Sequence, residues 1–267
     1  MIQHTSGIHD VDERSYHGDR RSLSVSGAKV LLDCPARYKW QHDNPVHKDA
    51  YDFGHVAHEL ILGKGAGYRV LDFDSWRSKD AREAKDQAHA DGVAPILTAE
   101  HERAVALADA VKAHPTAAAI LANGHAEKAI YAEHADTGVL LRGRADWLTK
   151  KADGTPVIVD VKTTVSAAPK NRAMADYGYA MQAAWYTDLL ALNGTPDASF
   201  IFLFVEKTAP HFVTLATPSE DALEWGRAKN EKAIRLYAEC ASTDTWPGYP
   251  THEANVPAWA WKDIEEA

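Results

Sequence analysis

The sequence predicts an α/β fold in which a mixed central sheet is flanked by helices and preceded by a helical N-terminal part. Apolar residues recur at helical spacing up to about residue 124, whereas the middle of the chain consists of β-branched runs separated by turn signals. Towards the C-terminus a helix, two strands and a long helix follow. This order of elements fits one α/β domain, which we place at residues 22–267.

The N-terminal part begins with a polar segment, residues 1–21, which we expect to be a flexible lead-in of uncertain structure. Three helical stretches follow: LSVSGAKVLLDCPARYKWQ (23–41), AYDFGHVAHELILG (50–63) and TAEHERAVALADAVKAHPTAAAILANG (98–124). Pro35 and the pair His114-Pro115 are predicted to interrupt the first and third stretches, because proline lacks the amide hydrogen of a continuing helix. Glycines after the second and third stretches predict where these end.

The three middle strands are predicted to form an antiparallel meander, because short turn signals separate them. They are EKAIYAEH (127–134), VLLRGRADWLTK (139–150) and VIVDVKTT (157–164), joined by ADTG and KADGTP. The domain is completed by the helix YAMQAAWYTDLLALNG (179–194), the strands FIFLFVEK (200–207) and HFVTLA (211–216), and the helix SEDALEWGRAKNEKAIRLYAEC (219–240).

The composition is ordinary for a globular protein, with 45% hydrophobic and 25% charged residues. No apolar run is long enough to span a bilayer and the N-terminus lacks a signal-peptide core, so we expect a cytoplasmic protein. The two cysteines, Cys34 and Cys240, form no disulfide framework and fit a reducing compartment.

The charge balance limits how this chain would bind nucleic acid. A formal net charge of −9 disfavours a protein that coats DNA through bulk electrostatics, but it leaves room for a local basic channel. The segment WRSKDAREAKDQ holds Arg77, Lys79 and Arg82 as candidate DNA contacts. A solvated surface is the alternative interpretation of such a cluster.

The strand VIVDVKTT carries opposite charges on one face. Because residues i and i+2 of a strand share a face, Asp160 and Lys162 lie side by side while three valines face the other way. A hairpin that turns near Asp153-Gly154 would place Asp146 roughly opposite Asp160. Opposed carboxylates are destabilising unless a cation neutralises them, and oxygen ligands without a cysteine cluster indicate Mg²⁺ or Mn²⁺.

Lys162 has a chemical interpretation beside such a metal site. It would orient or help to deprotonate an attacking water and would offset charge on a phosphate. On the following helix Gln182 and Tyr186 lie at i and i+4, hence on one face, where Gln182 would hold a phosphate or a metal-bound water. A surface ion pair on the strand and local hydrogen bonding on the helix are the alternatives, and these residues alone leave them open.

Taken together, GHVAHELIL, GRADW, VIVDVKTT and YAMQAAWY resemble the motif set of the PD-(D/E)xK nuclease superfamily. The branch that they resemble includes the RecE-type (exonuclease VIII-like) phage and prophage exonucleases and the RecB and AddB nuclease domains. In that branch a helical histidine precedes an aspartate, a D-x-K strand and a Q-x-x-x-Y helix. The resemblance covers about residues 22–250 and implies a restriction-endonuclease-like core.

The resemblance assigns roles to the matching positions. His58 is the helical metal ligand, Asp146 and Asp160 are the carboxylate ligands, Val161 contributes its backbone carbonyl to the metal, and Lys162 is the catalytic lysine.

Further positions match with supporting roles. Glu127 matches a supporting acidic position of the catalytic group, and Gln182 and Tyr186 match the helix that contacts DNA or supports the ligands. His55, one turn from His58, is a rival for the helical ligand, although the family spacing favours His58. An imidazole ligand would let Mn²⁺ substitute for Mg²⁺.

Other cofactors are not expected. Several RecB-like relatives bind a [4Fe–4S] cluster through four cysteines, and two cysteines exclude such an iron–sulfur cluster within this chain. The sequence lacks G-x-x-x-x-G-K-[ST], so no nucleotide-driven motor is predicted, and HELIL lacks the second histidine of the H-E-x-x-H zinc proteases.

The resemblance implies an exonuclease that digests linear double-stranded DNA, 5′→3′, releasing 5′-mononucleotides and leaving single-stranded DNA for homologous recombination. It also implies a ring-shaped homo-oligomer, a trimer or tetramer, and a RecT-type single-strand annealing partner in a bacterial host cell. Two alternatives stay open, an endonuclease of the same superfamily and a non-catalytic DNA-end-binding protein.

Overall fold

Strands and helices alternate along the chain, for which the computed structural model describes residues 5–44, 52–168, 171–257, 260–261 and 264. The strands are β1 (Gly7–Asp10), β2 (Leu23–Ser24), β3 (Tyr68–Leu71), β4 (Ala94–Leu97), β5 (His125–Glu133), β6 (Leu140–Lys150), β7 (Pro156–Thr164), β8 (Ser199–Glu206) and β9 (Val213–Ala216). The helices are α1 (Glu13–Gly18), α2 (Val25–Asp33), α3 (Pro35–Asp43), α4 (Asp52–Leu62), α5 (Lys79–Ala90), α6 (Thr98–Ala113), α7 (Pro115–Leu121), α8 (Asn171–Asp176), α9 (Tyr179–Leu192) and α10 (Glu220–Thr243).

A seven-stranded sheet of order β1-β5-β6-β7-β8-β9, with β2 alongside β6, forms the centre of the molecule. β5, β6 and β7 form the antiparallel meander that the sequence predicts. β8 runs parallel to β7 after the crossover through α9, and β9 returns antiparallel to β8. The predicted mixed α/β sheet is therefore confirmed, and β3 and β4 form a separate parallel pair.

Helices cover both faces of the sheet. On one face α2, α9 and α10 enclose the larger core cluster, whose fully buried members include Ile158, Leu189 and Phe202. On the other face α4, α6 and α7 pack over the three valines of β7. β7 thus separates an apolar face from the face that carries Asp160 and Lys162, as its alternation predicts.

Proline breaks the helices where the sequence predicts. α2 ends at Asp33 and α3 begins at Pro35, while α6 ends at Ala113 and α7 begins at Pro115 after a bend of 90°. In the described ranges no single helix is long and apolar enough to cross a membrane. Only α6 and α7 taken together across their bend reach the necessary length and composition.

The N-terminal segment differs from the expected flexible lead-in. Within it β1 adds an edge strand to β5, and Val11 and Tyr16 pack against Ala129 and Tyr131. Two apolar anchors in an otherwise polar stretch leave no periodic pattern in the sequence, which explains why this packing is not predicted. Residues 1–4 of the segment lie outside the described residues.

Five other elements are absent from the sequence-based prediction, α5 because its segment is strongly charged and the other four because they are short. β2 has two residues, β3 and β4 have four each, and α8 has six. Such lengths are too short for a helical or alternating period to be recognised. They connect or border the predicted elements without changing the order of the central sheet.

Gly226 marks a close contact between α10 and α9. A Cβ atom added there would lie 2.2 Å from the carbonyl oxygen of Ala180, so this approach requires a residue without a side chain. Gly54, in α4, has no atom within 4 Å of an added Cβ.

We predict opposite effects for alanine at these two helical glycines. Gly226→Ala should lower the free energy of unfolding by about 1–3 kcal/mol, because the clash with backbone outweighs the gain in helix propensity. Gly54→Ala should raise it by up to about 1 kcal/mol, since only propensity changes. Urea unfolding followed by circular dichroism measures both, and equal effects would contradict the close packing of α9 and α10.

Candidate metal and catalytic site

The pairing of β5 with β6 is interrupted where Glu127 and Asp146 face each other. The residues beside Asp146, Ala145 and Trp147, are both paired with β5, but the two acids between the paired positions are not. Glu127 has a φ of 57°, which a non-glycine residue adopts rarely. Ala145 and Trp147 also pack in different core clusters, although residues two apart in a regular strand share a face. The sheet is therefore locally irregular at the two acids.

The irregular position faces His58 on α4. One ligand atom each from His58, Glu127 and Asp146 lies within 4.8 Å of the others. The Nδ1 atom of His58 is 3.6 Å from Oδ2 of Asp146, and its Nε2 donates to the carbonyl oxygen of Val161 at 2.8 Å. The N–H of Val161 donates to Oδ2 of Asp146, also at 2.8 Å. The backbone of Val161 thus lies against both the histidine and the aspartate.

The rival histidine, His55, borders a different space. With Glu59 and Trp40 it lines an open cleft of about 1140 Å³. Glu13 also lines this cleft, and its carboxylate is 4.0 Å from the guanidinium of Arg144 at the site. The cleft therefore opens beside the group formed by His58, Glu127 and Asp146. Of the two histidines, His58 is the one that contacts Val161.

Asp160 is held from two sides. The ammonium nitrogen of Lys162 lies 2.5 Å from Oδ2, and the amide of Gln182 donates to Oδ1 at 2.6 Å. The last paired residues of β6 and β7 are Trp147 and Val159, so Asp146 and Asp160 come next on the two strands. The predicted hairpin register is the one observed.

Burial and charge set the protonation of this pair. Burial raises the pKa of Asp160, Lys162 opposes the rise, and Asp146 adds to it. For Lys162 burial alone would lower the pKa, but the charges of Asp160 and Asp146 outweigh it and raise the pKa above its usual value. The ring of Tyr179 lies 5.6 Å from the Lys162 nitrogen and stabilises the cation further. Lys162 is therefore an ammonium group within reach of the carboxylates.

Arg144 balances the charge of Glu127, a role that is not among the sequence-based predictions. Burial raises the pKa of Glu127 to about 7, although the Arg144 guanidinium, 2.7 Å away, opposes the rise and Asp146 adds to it. The hydroxyl of Tyr186 donates to the carbonyl of Arg144 at 2.9 Å and accepts from its N–H at 3.2 Å. Of the two roles expected for Tyr186, this buried position fits support of the strand. The position of Arg144 two residues before Asp146 is the signal that could have found it.

The candidate DNA contacts lie away from the acidic group. Arg77, Lys79 and Arg82 are exposed at or just before the N-terminal end of α5, where Lys79 is 3.5 Å from Glu83. His89, near the opposite end of α5, lines the cleft, and the helical rise places it about 15 Å from Lys79. These basic residues are therefore not among those that line the cleft.

The donor set fits a hard divalent cation. An imidazole, two carboxylates and the carbonyl of Val161 are the oxygen-rich ligands that Mg²⁺ and Mn²⁺ accept. The group that converges contains His58, Glu127 and Asp146, so Glu127 is present where the resemblance assigned Asp160 as a ligand. The oxygens of Asp160 contact Lys162 and Gln182. The structure thus brings together every residue assigned to the metal and catalytic set, in two adjoining groups.

The sheet, its flanking helices and the strand pair that carries Asp146 and the D-x-K sequence define a PD-(D/E)xK type of fold. A family model described as "PDDEXK-like domain of unknown function (DUF3799)" matches residues 24–256. The chain belongs to this family, which confirms the resemblance to the PD-(D/E)xK superfamily.

A solved structure shows the same fold. The crystal structure of a protein from Eubacterium rectale, whose name proposes an exonuclease, superimposes with a TM-score of 0.65 at 13% identity, covering 95% of this chain and 98% of that chain. The crystal structure of SSO0001 overlaps less, with a TM-score of 0.36 at 15% identity over 82% of this chain and 77% of that one. A comparison with curated proteins finds no match.

We predict that Mn²⁺ titration calorimetry separates the two possible ligand sets. Asp146→Asn, His58→Ala and Glu127→Gln should each weaken Mn²⁺ binding by at least about tenfold, because each removes a donor or its partner. Glu133→Gln, at the exposed far end of β5, is the matched control and should bind as the unchanged protein does. If Glu127→Gln binds normally while Asp160→Asn does not, Glu127 is no ligand and the set from the resemblance is the correct one.

Proposed function

We propose that this protein is a metal-dependent deoxyribonuclease that digests linear double-stranded DNA from its ends. The observation that carries the proposal is the convergence of His58, Glu127 and Asp146 beside the Asp160–Lys162 pair. Membership of the PDDEXK-like family supports hydrolysis of a phosphodiester bond as its reaction.

The residues divide the chemistry among them. A bound Mg²⁺, or Mn²⁺ in its place, would supply the Lewis acidity that activates water and stabilises the leaving oxygen. His58, Asp146 and Asp160, with the carbonyl of Val161, would hold it, and Glu127 would add a further carboxylate.

Lys162 contributes charge at the reacting phosphate. Its ammonium group offsets the negative charge that develops there, which is worth most in a partly buried place. Gln182 fixes one oxygen of Asp160 through a hydrogen bond of 2.6 Å, so the other oxygen and Lys162 keep a defined orientation. Tyr186 and Arg144 fix the strand that carries Asp146.

The finer assignment follows the RecE-type exonucleases. We assign 5′→3′ digestion, release of 5′-mononucleotides and production of single-stranded DNA for homologous recombination. The name of the Eubacterium rectale protein, which has this fold, is in keeping with an exonuclease. A RecT-type annealing protein in the cytoplasm of a bacterial cell would use the product.

A homo-oligomeric ring, a trimer or tetramer, would reconcile DNA binding with the formal net charge of −9. Basic side chains such as Arg77, Lys79 and Arg82 would converge on a central channel while the outer surface stays acidic. Digestion would then require a free DNA end, because only an end can enter a closed ring.

Digestion of end-labelled linear duplex and of covalently closed circles, with Mg²⁺, Mn²⁺ or EDTA, tests this proposal. We expect loss of linear DNA alone, dependence on metal, and a decrease in rate of about 10²- to 10³-fold in Lys162→Ala. Lys229→Ala, an exposed lysine of α10, is the control and should digest normally. Equal digestion of circles would identify an endonuclease instead. Binding of DNA ends without digestion in any metal would identify an end-binding protein.

A further inference from the structure

A second lysine, from a different element, lies beside the proposed nuclease site. The Nζ atom of Lys29, on α2, donates to the carbonyl oxygen of Tyr177 at 3.0 Å. A Cβ added to Gly178 would lie 2.7 Å from Cε of Lys29, so the lysine packs directly on the residue that precedes α9. The next residue, Tyr179, is the ring that lies over Lys162. Lys29 therefore contacts the segment 177–179, whose Tyr179 ring lies over Lys162.

The ammonium group of Lys29 lacks an acidic partner. In the part of the chain that the structure describes, no carboxylate forms an ion pair with it. Burial lowers the pKa of Lys29 to about 8, the charge of Lys162 acts in the same direction and Asp160 opposes both. The amine is still mostly protonated at neutral pH. An ammonium group without an acidic partner attracts an anion such as a phosphate.

An exposed aromatic ring adjoins this cation. The side chain of Tyr177 is 67% exposed, although large aromatic side chains usually bury most of their surface. Its ring centroid is 5.7 Å from that of Tyr179, so the exposed ring continues an aromatic surface that begins at Lys162. A nucleotide presents an anionic phosphate next to a flat base, which matches a cation next to an exposed ring.

We propose that Lys29 and Tyr177 form a subsite for one nucleotide of the DNA strand that is cut, with Lys29 on a backbone phosphate and Tyr177 stacked on an adjacent base. The inference rests on the proposed function and names a contact that the metal-binding residues do not provide. A base inside a duplex is covered on both faces by its neighbours, so the subsite takes a base at a single-stranded or frayed end. Lys29 positions the strand and takes no part in metal binding.

Anisotropy of a fluorescent single-stranded oligonucleotide, measured in EDTA at several salt concentrations, tests the subsite without cleavage. Lys29→Gln should weaken binding about fivefold and reduce the slope of log affinity against log salt by about 0.7, since one phosphate contact is lost. Lys29→Arg should retain most of the affinity and the slope. Tyr177→Ala should weaken binding on the order of tenfold with the slope unchanged, whereas Tyr177→Phe should bind normally.

Two exposed residues of α10 supply matched controls, Lys229→Gln for the loss of charge and Trp225→Ala for the loss of a ring. Both should bind as the unchanged protein does. The subsite is wrong if Lys29→Gln keeps the affinity and slope of the unchanged protein, if Lys229→Gln changes them equally, or if the unchanged protein does not bind the oligonucleotide.

Kinetics separates this inference from the proposed function. If the protein digests DNA, Lys29→Gln should raise KM about fivefold with kcat nearly unchanged, and Mn²⁺ affinity measured by calorimetry should not change. A normal KM in Lys29→Gln would overturn the subsite and leave the nuclease in place. Oligonucleotide binding that weakens in both variants, in a protein that hydrolyses nothing, would retain the subsite and overturn the nuclease.

Discussion

Repulsion among three carboxylates is the constraint on which the site depends. Glu127, Asp146 and Asp160 lie on neighbouring strands in a partly buried place, where the charge of Asp146 raises the pKa values of Glu127 and Asp160 and unpaired charge is costly. Arg144 offsets the charge of Glu127, and Lys162 offsets that of Asp160. Asp146 accepts a hydrogen bond from the N–H of Val161 and lies near His58. A bound cation would neutralise the negative charge of these carboxylates, which is why we assign this acidic group as a metal site.

The fold creates this arrangement through an irregularity in an otherwise regular sheet. Pairing of β5 with β6 skips Glu127 and Asp146, and the strand changes face there, so both acids turn towards α4. On the opposite face α9 supplies Gln182 to Asp160 and Tyr179 to Lys162. The apolar clusters on the two faces hold α4 and α9 against the same pair of strands, and these helices thereby approach the acids from both sides.

The sequence predicts the structural features that depend on residues close together in the chain. The alternation of β7, the hairpin register that opposes Asp146 to Asp160, and the helix breaks at proline follow from periods and turns within a few residues. Contacts between distant segments leave no such pattern. Lys29 is 148 residues from its acceptor Tyr177, and the Arg144 pairing with Glu127 depends on how β6 meets β5. The edge strand β1 is missed because its few apolar residues sit within a polar stretch.

A crystal structure of the protein grown with Mn²⁺, with the metal located by its anomalous scattering, would test the central claim most directly. We predict a peak within about 2.0–2.4 Å of carboxylate oxygens of Asp146 and Asp160 and of the carbonyl oxygen of Val161, with His58 and Glu127 completing the set. A peak elsewhere, or none at Mn²⁺ concentrations that saturate the protein in solution, would contradict the assignment of this acidic group as a metal site.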